Sequence, residues 1–98
     1  MNKQDLIDLL ATSPKHAAKL RSFKKAELEN FVAAQTDPAN HEEFPIGSFV
    51  YCEWAGSYGI VTHTEEIPGS RRDLFGLTVK TGPSGRLDTN SNDVIRAA

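Results

Sequence analysis

Five basic residues lie within an eleven-residue stretch that contains no acidic residue. They are Lys15, Lys19, Arg21, Lys24 and Lys25. On a helix that begins near Pro14, Lys15 and Lys19 are four residues apart and therefore share one face. Clustered cations of this kind can contact nucleic-acid phosphates, with an affinity that depends on salt rather than on base sequence. The cluster predicts phosphate contacts; the alternative is a solvated helix face whose charge only keeps the protein in solution.

Aromatic residues supply a second candidate surface. Residues 48–54 alternate in the manner of a strand, with Val50, Cys52 and Trp54 predicted to point inward. The rings expected on the outward face or at the following turn are Phe49, Tyr51 and Tyr58. Exposed rings on a sheet can stack on bases or form grooves for peptides. The alternative is that the helices of the first third of the chain cover them.

A long predicted loop over residues 65–72 carries two more cations, Arg71 and Arg72, which would border the aromatic surface. We therefore include both arginines among the predicted nucleic-acid contacts.

Little in the sequence suggests catalysis or metal binding. Cys52 lies between apolar neighbours, which indicates an inert buried thiol. The candidate metal ligands are His41, Glu42, Glu43 and His63, and their spacing matches no metal motif. His63 alternates with Val61, so we expect it to be half-buried in a strand. We expect a non-enzymatic protein with no catalytic residue, metal or cofactor.

Composition narrows the class of protein further. The 98 residues carry a formal net charge of −2, which excludes a polycation that holds nucleic acid by bulk charge. A single cysteine excludes an intramolecular disulfide. The sequence contains no apolar run long enough for a membrane span and no signal-peptide pattern at its start. These features predict a cytoplasmic protein without a membrane partner.

The chain divides into two segments of different composition and periodicity. Residues 1–35 carry six basic and four acidic residues, a net charge of +2, whereas residues 36–98 carry five basic and nine acidic residues, a net charge of −4. The stretch 36–45 is polar and bounded by proline, and we predict that it is a linker between a helical module at 1–35 and a strand-rich domain at 46–98.

Apolar spacing in the first segment predicts three helices. Leu6, Leu9 and Leu10 form the stripe of the first helix, with Ile7 beside it and Asn2 as its cap. Ser13 and Pro14 are a cap and a first helical residue for a second helix over 14–21. Its expected buried residues are Ala17, Ala18 and Leu20, and those of the third helix, over 24–35, are Leu28, Phe31 and Val32.

Alternation and turn residues predict five short strands in the second segment. Their expected ranges are 48–54, 58–64, 73–80, 86–89 and 94–96. Short antiparallel strands joined by tight turns are typical of a small curled barrel, because closure leaves no unpaired edge. The predicted fold is therefore α+β, a three-helix module followed by a five-stranded antiparallel β-barrel.

Two stretches resemble known families. Gly56-Ser57-Tyr58-Gly59-Ile60-Val61, placed after an apolar strand, is similar to the glycine turn of KOW-type SH3-like barrels. The segments Leu6-Ile7-Asp8-Leu9-Leu10 and Lys24-Lys25-Ala26-Glu27-Leu28 resemble the two helical signatures of HeH/LEM, SAP and Rho-N modules. The first resemblance implies an SH3-like barrel, and the second a helical module of a group whose members often bind DNA or RNA and sometimes bind proteins.

These features suggest two functions. The first is a small accessory protein, similar to those of bacteria and their phages, that binds DNA or RNA through the basic cluster. The alternative is an adaptor or inhibitor whose acidic barrel docks a host or partner protein. The sequence does not specify an oligomeric state.

Overall fold

A computed structural model describes residues 1–37, 43–67 and 74–97. Three helices are followed by five strands, which confirms an α+β chain. The helices are α1 Lys3–Leu10, α2 Pro14–Leu20 and α3 Lys25–Ala34. The strands are β1 Phe49–Cys52, β2 Ser57–Glu66, β3 Phe75–Lys80, β4 Arg86–Asn90 and β5 Val94–Arg96.

Local capping signals start the first two helices as predicted. The side chain of Asn2 accepts a hydrogen bond from the amide of Asp5, and the Asp5 carboxylate accepts one from the amide of Asn2. The Ser13 hydroxyl accepts from the amide of His16, with Pro14 at the first helical position. Each cap satisfies amides that have no partner within the helix.

The buried faces of the helices differ in part from the prediction. In α1, Ile7 is buried and Leu9 is exposed, because the packed face of the helix is centred between Leu10 and Ile7. In α2, Ala18 is exposed and Ala17 half-buried, and the buried residues are His16 and Leu20. These two are four residues apart and so share a face. None of the described helices is long and apolar enough to cross a membrane.

The strands form one antiparallel sheet in the order β4-β3-β2-β1-β5. Consecutive strands from β1 to β4 are neighbours, and β5 returns to pair with β1. Within the described residues no ladder joins β4 to β5, so the sheet is open and a closed barrel is not established. The sheet is nevertheless strongly curled, since the indole of Trp54, which follows β1, donates to the Thr89 hydroxyl of β4 at 3.0 Å.

Two side chains of this sheet lie differently from the prediction. Trp54 was expected to point inward, but β1 ends at Cys52, and the indole lies in the following turn with 59% of its surface exposed. His63 was expected to be half-buried with Val61, but it is exposed. The reason is a register shift between Val61 and His63, which places one extra residue in β2 and reverses the alternation beyond it.

The sheet buries a different set of side chains on each face. The inner core fills the curl and consists of Phe44, Val50, Cys52, Val61, Leu77, Val79 and Val94. The helix-side core lies on the opposite face and consists of Leu6, Ile7, Leu10, Leu20, Phe23, Leu28, Phe31, Phe49 and Ile60. Phe49 and Ile60 come from the sheet and the rest from the helical segment, so the helices pack directly on β1 and β2.

Candidate functional site

Helix α2 and the first two strands enclose an open groove of about 560 Å³. Burial of His16 and Leu20 fixes the orientation of the helix, and this places Lys15 and Lys19 along the rim of the groove. The remaining lining residues are Ala18, Phe49, Ser57, Tyr58 and Thr81. Two residues of the basic cluster, Lys15 and Lys19, therefore meet the rings of Phe49 and Tyr58 on one side of the molecule, which the sequence alone left open.

A row of ring contacts includes the two rings that line the groove, Phe49 and Tyr58. The imidazole of His16 stacks on Phe49 with centroids 5.3 Å apart, and Phe49 stacks on Tyr58 at 5.7 Å. The Tyr51 ring lies 4.7 Å from that of Tyr58, in a tilted arrangement. Tyr58 is 42% exposed, so the row runs from a buried imidazole to a ring that solvent reaches.

Two lysine side chains line the same groove. The Lys15 ammonium lies 5.6 Å from the centroid of the Tyr58 ring, within the range of a cation–π contact. The Lys19 ammonium donates to the carbonyl oxygen of Thr81 at 2.7 Å, which holds α2 beside the turn after β3. Of the described residues that line the groove, none is acidic. The groove thus presents an aromatic face and positive charge together, which suits a ligand with a planar ring and an anionic group.

The other three residues of the basic cluster lie outside this groove. Arg21 caps the end of α2, and its carbonyl oxygen accepts a hydrogen bond from the Lys3 ammonium at 2.7 Å. Lys24 caps α3, and Lys25 is the first residue of that helix. All three side chains are exposed. Arg71 and Arg72 lie outside the described residues.

The rings predicted as an outward surface differ in their exposure. Phe49 is buried under α2, Tyr51 is half-buried and Tyr58 is exposed. All three nevertheless lie on the sheet face opposite Val50 and Cys52, as alternation requires. The alternative that helices cover the aromatic face thus holds for Phe49.

One cation beside the groove was missed by the sequence reading. The Lys80 ammonium lies 4.9 Å from the centroid of the Phe23 ring, where the helices meet the sheet. The alternation of side chains along β3 predicts this position, because a strand in which Val79 points inward must have Lys80 pointing toward the helices.

A buried histidine links α2 to the start of the sheet. The amide of Thr12 donates to Nδ1 of His16 at 3.1 Å, so the ring proton resides on Nε2, which donates to the carbonyl oxygen of Gly47 at 2.9 Å. Desolvation by burial lowers the pKa of His16, and the hydrogen bond to Gly47 partly opposes this effect. The imidazole is therefore neutral at physiological pH and forms a polar link between α2 and the start of the sheet.

The other side chains that could act as nucleophiles or metal ligands lie apart from one another. Cys52 is a buried free thiol, and His63 lies exposed on β2. Within the parts of the chain that the structure describes, no three histidine, cysteine or carboxylate side chains come together in a group that could hold a metal. His41 and Glu42 lie outside those parts.

Comparison of the sequence with protein-family models and with curated proteins, and of the chain with solved structures, gave no match in any of the three searches.

Proposed function

We propose that this chain binds single-stranded nucleic acid in the groove between α2 and the first two strands, as a small non-enzymatic accessory protein. The observation that carries the proposal is the presence of Lys15, Lys19 and the exposed ring of Tyr58 along one groove. A base would stack on Tyr58 in place of the Lys15 ammonium. The two lysines would then contact the flanking phosphates.

The energetics of this arrangement favour a single strand over a duplex. Stacking of a base on an aromatic side chain contributes about 1–3 kcal/mol and tolerates any base, because every base has a π-face. In a duplex those faces are already stacked on neighbouring bases and cannot reach Tyr58. Lys15 and Lys19 would add a salt-dependent contribution from counterion release.

The fold is compatible with the families that the sequence resembles. A meander of four strands, with β5 returning beside β1, has the strand order of an SH3-like barrel. In the stretch similar to the KOW turn, Gly56 has a positive φ of 63°, and Tyr58 follows it at the mouth of the groove. These features support an SH3-like domain. The helical segment resembles SAP and HeH modules in sequence alone, and we propose on that resemblance a bacterial or phage accessory protein.

Fluorescence anisotropy with labelled ten-nucleotide DNA and RNA strands, at low and moderate salt, tests the proposal. We expect Tyr58→Leu to lower the affinity about tenfold, as loss of one stacked base predicts. Lys15→Gln should lower the affinity and reduce the dependence of log K on log salt by about 0.7, the value for one phosphate contact with a single strand.

The matched control is Lys25→Gln, which removes the same charge from an exposed residue that does not line the groove. It should change the affinity much less than Lys15→Gln does. Equal effects of the two lysine substitutions, or tighter binding to a duplex than to a single strand, would show that the groove is not the binding site.

One observation favours the adaptor function as a second candidate. Trp54 is 59% exposed, and its indole nitrogen is held by Thr89, so a large apolar face is fixed toward solvent. Tryptophans of this kind often dominate protein interfaces. A stoichiometric protein captured from a bacterial lysate, resistant to nuclease and lost with Trp54→Ala, would favour this function; retention with Trp54→Ala would count against the Trp54 face.

A further inference from the structure

A second, smaller groove of about 230 Å³ lies beside the turn between β3 and β4. It is lined by Thr62, Thr78, Lys80, Pro83, Ser84, Gly85 and Arg86. We infer that Lys80 and Arg86 bind a further phosphate of the same strand, so that the ligand is an oligonucleotide that crosses this turn rather than a single nucleotide. This inference rests on the proposed function of the first groove.

Strand pairing places the two basic residues of the second groove opposite each other. Lys80 and Arg86 are directly opposite each other in the antiparallel ladder between β3 and β4, so their Cβ atoms lie about 4.5–5.5 Å apart on one face. The contact of the Lys80 ammonium with the Phe23 ring restrains that side chain before any ligand arrives. Of the hydroxyls that line the same groove, that of Thr62 donates to the carbonyl oxygen of Thr78 and that of Thr78 donates to the Asp88 carboxylate, so the further donor to an anion is the Ser84 hydroxyl.

The two grooves are lined by consecutive residues of the chain. Thr81 lines the first groove and accepts the hydrogen bond from Lys19, whereas the preceding residue, Lys80, lines the second. The turn between the grooves is closed by a hydrogen bond from the amide of Thr81 to the carbonyl oxygen of Gly85 at 3.0 Å. A strand with one phosphate at Lys19 would therefore pass over Thr81 and place a later phosphate between Lys80 and Arg86.

The carboxylate of Asp88 would compete with this second phosphate for the Arg86 guanidinium. Its carboxylate pairs with the Arg86 guanidinium at 3.2 Å, and both side chains are largely exposed, at 71% and 68%. An ion pair so exposed contributes little and exchanges readily for another anion. Removal of the Asp88 charge should therefore strengthen binding at the second groove, a response opposite in sign to that of Arg86.

The test compares a two-nucleotide and a ten-nucleotide strand of thymidylate. The short strand can occupy only the first groove, whereas the long one can cross the turn. We expect Arg86→Gln to lower affinity for the long strand about fivefold to tenfold and to leave the short strand unchanged. Asp88→Asn should raise affinity for the long strand alone. Amide shifts of Ser84 and Gly85 with the long strand only would locate the contact independently of any substitution.

The outcomes separate this inference from the function on which it rests. If Lys15→Gln weakens both strands but Arg86→Gln affects neither, the first groove binds nucleic acid and the second does not. If Arg86→Gln weakens both lengths equally, its effect is general electrostatics and the second site is refuted. If Tyr58→Leu and Lys15→Gln change neither affinity, the proposed function fails and this inference fails with it. Lys25→Gln is again the charge-matched control.

Discussion

The inner face of the sheet and the face beneath the helices bury their side chains against different kinds of partner. The inner core is supplied by four strands together with Phe44, and it is filled by apolar side chains. The helix-side core joins the sheet to a separate segment, and the buried imidazole of His16 lies next to it, stacked on Phe49. One face is therefore closed by the sheet itself, whereas the other depends on docking of the helices.

This difference bears on function because the candidate groove lies along the docked boundary. Lys15 and Lys19 reach Tyr58 and Thr81 only while α2 stays on the sheet. Anything that loosens the helices should therefore weaken ligand binding before it unfolds the strands. The inner core supports the sheet but contributes no side chain to the groove.

Replacing one buried leucine on each side of the sheet with alanine should give the largest difference between the two faces. Leu77→Ala in the inner core and Leu28→Ala in the helix-side core each remove a buried side chain and should cost about 2–5 kcal/mol of unfolding free energy. Leu77→Ala should lower hydrogen-exchange protection throughout the chain, because the helices need the sheet. Leu28→Ala should lower it mainly in α1, α2 and α3.

Denaturant unfolding together with native-state amide exchange measures both quantities. If Leu28→Ala reduces protection of the β1–β2 amides as much as that of the helices, the two faces unfold as one unit and the distinction is wrong.

Substituting one glycine near each face of the sheet should also distinguish the two faces, with smaller effects on stability. A Cβ at Gly59 would lie 2.5 Å from a Val79 methyl group and 2.6 Å from the Lys80 carbonyl oxygen, so Gly59→Ala should cost about 1–3 kcal/mol through overpacking. A Cβ at Gly47 would lie 2.8 Å from the Phe31 Cβ, and Gly47 also has a φ of +94°, so Gly47→Ala should strain the helix-side boundary.

The matched control is Gly82→Ala, since a Cβ there meets nothing within 4 Å. Its thermal midpoint should stay within a few degrees of the unchanged chain, because such open sites shift stability by about 0.5 kcal/mol or less. We expect Gly47→Ala to weaken oligonucleotide binding beyond its effect on stability, and Gly82→Ala to leave binding unchanged. Binding by Gly47→Ala that falls only as far as its loss of stability explains would show that docking of the helices does not control the groove.

Elements governed by local signals were predictable from the sequence. The caps at Asn2 and Ser13, the three helices and the order of the five strands all follow from capping residues, periodicity and turns within a few positions of each element. Turn chemistry likewise placed Gly56 between the first two strands. The closed barrel that we predicted is not established, since the described sheet is open between β4 and β5.

Features that depend on distant partners were not predictable. The extra residue in β2 that exposes His63 reflects pairing with β3, and the turn position of Trp54 reflects where pairing with β2 ends. For the candidate site, the sequence identified Lys15, Lys19 and Tyr58 as separate candidates. Only the packing of α2 on the sheet brings them into one groove, and it leaves Lys24 and Lys25 outside.

The smallest predicted effect concerns the polar link at His16, and its sign follows from burial of the ring. Burial lowers the pKa of His16 in the folded chain below the ordinary value of 6.5. The unfolded state therefore binds the proton more readily, and stability is lost as pH falls below about 6.5, toward the folded pKa. The slope contributed by one proton cannot exceed about 1.4 kcal/mol per pH unit.

Protonation should act at the helix–sheet boundary in particular. A proton on Nδ1 would displace the Thr12 amide, which can only donate, and would leave the Thr12 hydroxyl, 3.3 Å from Nδ1, as the acceptor. Among the described residues that line the same small cavity, Arg96 is charged and would repel an imidazolium. Unfolding free energies and helix amide exchange should be measured from pH 7.5 to 5 for the unchanged chain, for His16→Gln and for the exposed-site control His63→Gln. The pH slope should be reduced in His16→Gln alone, with exchange in α2 of the unchanged chain rising before that of β3. If the unfolding free energies of all three chains change in parallel with pH, His16 does not titrate in this range. The helix-covered face would then be as insensitive to pH as the inner one.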